Sequence, residues 1–122
     1  HKLNLYNNHL SESAEAFATL VAALAECPAL AHVNLESNGL GAEAAVALAA
    51  ALPRCSVLCK LYLGANNLGA SKEASADLLR VFAECTALEE VDLRYNGLGP
   101  EAVVALAGAL PRCRTLHALN LY

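Results

Sequence analysis

The sequence predicts an α/β solenoid, in which a parallel β-sheet lines the concave face and α-helices cover the convex face. Leucine (24) and alanine (26) dominate the 122 residues, and isoleucine, methionine and tryptophan are absent. Landmark residues recur at alternating intervals of 28 and 30 positions. Within each interval the apolar spacing changes from a strand period to a helix period. Together these observations indicate about four strand–helix repeats in a single domain, residues 1–122.

One segment defines the repeat. Residues 30–40 read LAHVNLESNGL, which has the form L-x-x-L-x-L-x-x-N-x-L with valine at the second leucine position. The pattern returns at residues 58–68 and 88–98, with an incomplete copy at 2–10 and a fifth beginning at Leu116. A shift of 58 residues superposes residues 38–55 on residues 96–113. The unit is therefore a pair of unequal repeats, and the chain is a duplication of that pair.

Each copy contains two apolar residues at strand spacing, which we expect to point into the core. These pairs are Leu3 and Leu5, Val33 and Leu35, Leu61 and Leu63, Val91 and Leu93, and Leu119 and Leu121.

A helical face follows each pair, with spacing i, i+3, i+4, i+7. The predicted faces are Phe17-Leu20-Val21-Leu24, Ala45-Leu48-Ala49-Leu52, Ser75-Leu78-Leu79-Phe82 and Val103-Leu106-Ala107-Leu110. Pro100 and Glu101 suit a helix start. The N–H that proline lacks would have no partner in the first turn, and the negative charge of glutamate is favourable near the positive end of the helix dipole.

The repeated pattern resembles the leucine-rich repeat proteins of the ribonuclease-inhibitor-like class, over essentially all 122 residues. The resemblance implies one strand and one α-helix in each repeat, often in alternating long and short types. The 30-residue spacing is slightly longer than usual for such repeats. Its two extra residues fall near positions 11–14 and 70–72, where we expect the chain to bulge.

The periodic asparagines and cysteines have structural interpretations. We expect Asn8, Asn38, Asn66 and Asn96 to pair with backbone groups of adjacent turns. Cysteines recur where each helix leads into the next strand, and we interpret them as small buried apolar residues: Cys27, Cys55, Cys85 and Cys113. Cys59 lies outside that series, in the opening positions of a strand. Sparse cysteines and the absence of N-x-Ser/Thr favour an intracellular, cytoplasmic setting.

Several function classes are disfavoured. The net charge is −4 with no basic stripe, which argues against nucleic-acid binding. No apolar run reaches the ~18 residues that a membrane span needs. The histidines lack metal-ligand spacing, and no phosphate loop or nucleophile motif occurs. The carboxylates Glu89, Glu90 and Asp92 suit a solvated sheet face. We therefore predict no enzymatic activity and no catalytic, cofactor or metal residue.

Function should lie on the concave face, where residues between the inward leucines form three columns. All four tyrosines fall on or beside this face, and tyrosine and arginine are typical recognition residues. The mixed charges suit a protein partner. The residues predicted to contact it are His32, Glu36, Lys60, Tyr62, Glu90, Asp92, Arg94 and Tyr95.

We therefore predict a protein–protein interaction scaffold. One alternative is a structural subunit of a large assembly, held by its convex face or its ends. Another is a GTPase regulator, since Ran GTPase-activating proteins share the ribonuclease-inhibitor-like repeats, although no activity-bearing motif is found. We expect the chain to be a fragment of a longer array, uncapped at both ends, whose end leucines are covered by further repeats, a cap or another subunit.

Overall fold

A computed structural model describes all residues 1–122 and alternates five short strands with four α-helices. The strands are β1 Lys2–Asn4, β2 His32–Asn34, β3 Lys60–Tyr62, β4 Glu90–Asp92 and β5 Ala118–Asn120. The helices are α1 Ala14–Leu24, α2 Ala42–Ala51, α3 Lys72–Arg80 and α4 Pro100–Ala109. All strands are parallel and follow chain order in one sheet, while successive helices pack side by side. The predicted solenoid is confirmed.

The repeats stack in register. Lys2 pairs with His32, His32 with Lys60, Lys60 with Glu90 and Glu90 with Ala118. Because the same repeat position meets itself in each neighbouring strand, side chains form straight columns across the sheet, with neighbours in a column about 4.8 Å apart.

Leucine and alanine form the core as the repeat predicts. A cluster of 25 buried residues joins the inner side of the sheet to the helices. In the three central repeats the inward strand residues are at most 2% exposed: Val33, Leu35, Leu61, Leu63, Val91 and Leu93. Both phenylalanines, Phe17 and Phe82, are also buried. One repeat cannot bury these faces alone, so stacking stabilises them.

The predicted faces need correction at the ends of the stack. Val103, Ala107 and Leu110 are exposed, because α4 has a helix neighbour on one side only. Leu121 is likewise exposed, since β5 pairs with a strand on one side only. The final residue of several faces, such as Phe82, also lies in a 3₁₀ turn that follows the α-helix. Burial thus depends on the position of a repeat in the stack, which the local pattern does not encode.

The two extra residues of the long repeats form a defined structure. A 3₁₀ turn precedes α1 at Leu10–Glu12 and α3 at Leu68–Ala70. A serine then caps each helix: Ser13 Oγ accepts from Ala16 N at 3.1 Å, and Ser71 Oγ accepts from Ala74 N at 3.2 Å. The short repeats lack this turn, and a glycine occupies the N-cap position.

The ladder asparagines bond neighbouring turns together. Asn66 Nδ2 donates to the carbonyls of Leu35 and Leu63 at 2.9 and 3.0 Å. Its Oδ1 accepts from the backbone N–H groups of Asn38 and Leu40. Asn38 and Asn96 repeat the arrangement one turn away. The structural interpretation therefore agrees with the hydrogen bonds of Asn38, Asn66 and Asn96, whereas the Asn8 side chain bonds only Tyr6 O in its own turn.

The cysteines are free thiols, and their predicted burial is only partly correct. Cys55, Cys85 and Cys113 are half-buried against the core, whereas Cys27 is exposed in the first repeat. Each periodic Sγ donates to the carbonyl four residues earlier, as Cys85 does to Val81 at 3.2 Å. Burial raises the pKa of the Cys85 thiol to about 12. None of the helices has both the length and the apolarity to cross a membrane.

Candidate functional site

The concave face carries tyrosines together with charged side chains of both signs. Its first two columns come from the strands themselves, and the third comes from the residue two positions beyond each strand. Backbone bonds extend the sheet register to that third column: Leu63 N donates to Asp92 O at 2.8 Å, and Ala65 N to Arg94 O at 2.7 Å. These positions are therefore held as firmly as the strands.

Arg94 is the centre of one side-chain network. Its Nε lies 2.9 Å from Asp92 Oδ2 and 3.1 Å from Asp92 Oδ1. Asp92 Oδ1 also accepts from the Arg94 backbone N–H at 3.0 Å, which fixes the carboxylate. On the other side, Arg94 Nη2 lies 3.6 Å from Glu36 Oε1. Hydrogen bonding to Asp92 raises the pKa of Arg94, so the guanidinium stays charged.

Gly64 makes the contact between Glu36 and Arg94 possible. The two residues come from the repeats on either side of Gly64, about 10 Å apart at two strand spacings. A Cβ at Gly64 would lie only 2.9 Å from Glu36 Oε1. The missing side chain leaves an open depression of about 220 Å³, here called the Gly64 hollow. It is lined by Tyr6, Glu36, Ser37, Gly64, Ala65, Arg94 and Tyr95.

A second network lies beside the first, towards the amino ends of the strands. Tyr62 Oη donates to Glu90 Oε1 at 2.9 Å, and Lys60 Nζ lies 3.4 Å from Glu90 Oε2. The hydrogen bond with Glu90 raises the pKa of Tyr62 and, from the other side, lowers the pKa of Glu90. The carboxylate is therefore ionised and the phenol protonated around neutral pH.

His32 adjoins this second network in a positive setting. Its register neighbours are Lys2 and Lys60. Partial burial lowers the pKa of His32, and the charges of Lys2 and Lys60 lower it further. The imidazole is thus biased toward its neutral form, which can both donate and accept a hydrogen bond.

Tyr95 is held in an unusual backbone conformation. Its φ is 55°, in the left-handed region that bulky residues rarely adopt. The equivalent positions Asn7, Ser37 and Ala65 have φ of 55–57°, so this conformation belongs to the repeat. The Tyr95 ring is exposed and meets the Tyr122 ring edge to face, with centroids 5.6 Å apart.

The predicted contact residues fall into two groups on this face. Glu36, Asp92, Arg94 and Tyr95 surround or adjoin the Gly64 hollow. The second group is Lys60, Tyr62, Glu90 and His32. Their use by a partner stays a prediction.

Sequence reasoning missed the hollow itself. The signal that could have found it is the glycine between Glu36 and Arg94 in the third column, where every other repeat has a long side chain or tyrosine. Tyr6 also lines the hollow, although it was not among the predicted contacts.

The chemistry of the face is that of recognition. It offers fixed carboxylates, a guanidinium, an ammonium and exposed phenol rings, which give hydrogen bonds together with contact area. No group of three or more histidine, cysteine, aspartate or glutamate side chains is arranged to hold a metal ion.

A parallel sheet in register, an α-helix between each pair of successive strands and an asparagine ladder define an α/β solenoid built from strand–helix repeats. Residues 26–49 and 84–107 match the family model described as Leucine Rich repeat. The chain therefore contains at least two leucine-rich repeats. Its place in the ribonuclease-inhibitor-like class stays a prediction.

Two solved structures share the fold at low sequence identity. A tropomodulin C-terminal domain from Caenorhabditis elegans has a TM-score of 0.85 at 18% identity, covering 99% of this chain and 72% of its own. Leiomodin-1 actin-binding site 2 has a TM-score of 0.85 at 18% identity, covering 99% of this chain and 69% of its own. Among curated proteins, no significant match to the sequence is found.

Proposed function

We propose that this chain is a non-enzymatic protein-binding module that holds its partner against the concave face. The observation that carries the proposal is the pair of side-chain networks around Arg94 and Glu90, set in register across β2 to β4. Preordered charged and aromatic groups lose little conformational entropy on binding, which favours affinity. The signs of charge are mixed, and this suits a protein surface better than a polyanion.

The fold neighbours suggest a first partner to test. The leiomodin-1 structure is named as an actin-binding site, and the fold covers nearly all of this chain. The sequence identity is only 18%, so actin is a candidate on fold similarity alone.

The test compares two double variants of the whole chain. The concave variant combines Tyr62→Ala with Arg94→Ala, and the control combines Val46→Ala with Arg80→Ala on the exposed side of the helices. Affinity for monomeric actin is measured by calorimetry. If actin does not bind, partners captured by the wild type from cells are quantified on both variants by mass spectrometry.

We expect the concave variant to bind at least tenfold more weakly while the control keeps the wild-type affinity. Equal affinity of the two variants would rule out the concave face as the binding surface. Circular dichroism of each variant establishes that the fold is intact.

We also propose an intracellular location. All five cysteines are free thiols, which suits a reducing compartment. Fluorescence microscopy of the tagged full-length protein tests this, and secretion into the medium would contradict it.

A second candidate is a structural subunit held by the open side of α4. Val103, Val104 and Leu110 are 52%, 71% and 43% exposed, which leaves apolar surface on one side of the solenoid. Under this function, Val104→Lys would release the chain from its assembly, whereas the concave double variant would remain assembled. Size-exclusion chromatography of cell extracts separates the two results.

A further inference from the structure

We propose that the Gly64 hollow receives the guanidinium of an arginine side chain presented by the partner protein. The inference rests on the proposed function, because it names the chemistry that the concave face recognises. Three independent properties of the hollow carry it: its shape, its unbalanced charge and its aromatic walls.

The shape of the hollow admits one long side chain. Gly64 forms the floor, and the repeats on either side supply Glu36 and Arg94. The open volume is about 220 Å³ and faces outward from the sheet. The Glu36 carboxylate reaches into the hollow, and its Oε1 lies 2.9 Å from the position that a Cβ of residue 64 would take.

The charge of the hollow favours a cation. Arg94 pairs first with Asp92 at 2.9 Å, a carboxylate that adjoins the hollow without lining it, and lies 3.6 Å from Glu36, so the Glu36 charge is not fully matched. Asp92 uses both oxygens on Arg94, whereas the Glu36 carboxylate accepts no hydrogen bond from the protein and only faces Arg94 Nη2 at 3.6 Å. The Glu36 side chain is only 20% exposed, so few waters can reach it. An anionic ligand would meet the Glu36 carboxylate, and Arg94 is already paired with Asp92, so an anion is disfavoured.

The walls distinguish a guanidinium from other cations. Tyr6 and Tyr95 line the hollow and are 55% and 65% exposed, which leaves ring surface for a cation. A planar guanidinium can stack on a phenol ring and still donate two hydrogen bonds to one carboxylate. An ammonium lacks that planar pair of donors.

The experiment titrates the intact chain with amino-acid probes, so it needs no knowledge of the partner. N-acetyl-arginine amide, the lysine analogue and the uncharged citrulline analogue are added separately. Two-dimensional NMR follows the Gly64 amide and the ring signals of Tyr6 and Tyr95. We expect saturable shifts with the arginine probe at a Kd of about 1 mM, weaker binding of lysine and none of citrulline.

Variants locate the site. Gly64→Ala fills the hollow and Glu36→Gln removes its excess charge, and each should weaken arginine binding at least fivefold. The control Glu15→Gln makes the same charge change in α1 and should leave binding unchanged. Citrulline or lysine binding as tightly as arginine, or the absence of a saturable shift up to about ten times that Kd, would overturn the proposal. The proposed function is judged separately, by partner binding to the concave variant.

Discussion

Replacement of Asn66 by alanine offers the most quantitative test of what holds the repeats together. Asn66 is 1% exposed, and its amide makes five hydrogen bonds to backbone groups. The truncation removes all five bonds but affects their partners unequally. The carbonyls of Leu35, Leu63 and Gly64 each keep another donor. The N–H groups of Asn38 and Leu40 lose their acceptor inside the protein.

The expected cost follows from those two donors. A buried polar group left without a partner costs about 1–3 kcal/mol, so Asn66→Ala should destabilise the fold by about 2–6 kcal/mol. Asn8 provides a matched control, because it occupies the same repeat position in the first turn. Its exposed amide donates one hydrogen bond, to the carbonyl of Tyr6. Asn8→Ala should therefore cost about 0.5 kcal/mol or less.

Urea unfolding followed by circular dichroism measures both free energies of unfolding. The comparison is valid if the two variants and the wild type unfold with the same m-value. A cost for Asn66→Ala of less than about 1 kcal/mol, or equal costs for the two variants, would refute the assignment of the ladder as a stabilising hydrogen-bond network.

Two further contrasts test the packing of the backbone and the thiols. A Cβ at Gly69 would lie 2.2 Å from the Gly97 carbonyl oxygen, so Gly69→Ala should cost about 3 kcal/mol or more. Gly108→Ala meets no atom within 4 Å and should stabilise α4 by about 0.5–1 kcal/mol, by the same urea assay; similar effects would contradict the geometry. For the thiols, the raised pKa of Cys85 predicts alkylation by iodoacetamide at pH 8 at least tenfold slower than at exposed Cys27, by peptide mass spectrometry. The same pKa shift means that the Cys85 thiol ionises at lower pH in the unfolded protein, from about pH 9, than in the folded protein. The stability that Cys85 contributes is therefore complete below pH 9 and is lost as the pH rises towards about 12. Rapid native-state labelling of Cys85 would contradict that burial.

The repeat made most of the fold predictable. The position of Leu35 or Leu63 in the motif is enough to place it in the core, because each strand–helix unit must bury the same face against its neighbours. Val103 and Leu110 carry the same signal yet are exposed. Their exposure depends on whether another helix lies beside them, which is a property of the stack and not of the local sequence. Cys27 is exposed in the first repeat for the same reason.

The candidate site was predictable in its membership but not in its form. Strand alternation by itself is enough to place Glu36, Asp92 and Arg94 on one face of the sheet. The hollow depends on the absence of a side chain at Gly64, and on a carboxylate bending across the gap to reach Arg94. Patterns of hydrophobicity give no weight to a missing atom. Whether the side chains of Glu36 and Arg94 fill the gap above Gly64 depends on their rotamers, and these follow from the register of the strands in three dimensions.

The asparagine ladder has a consequence for the length of the protein. Each ladder side chain bonds only its own repeat and the adjacent one. The hydrogen bonds of the ladder therefore do not depend on how many repeats the protein contains. The tetrapeptide Asn-Gly-Leu-Gly stands at both 38–41 and 96–99. Excising or duplicating residues 39–96 regenerates that junction without a new sequence. The sheet would shorten or lengthen by two strands, about 10 Å. The length of the concave face can therefore change in whole modules by recombination alone, while every contact inside a module is kept.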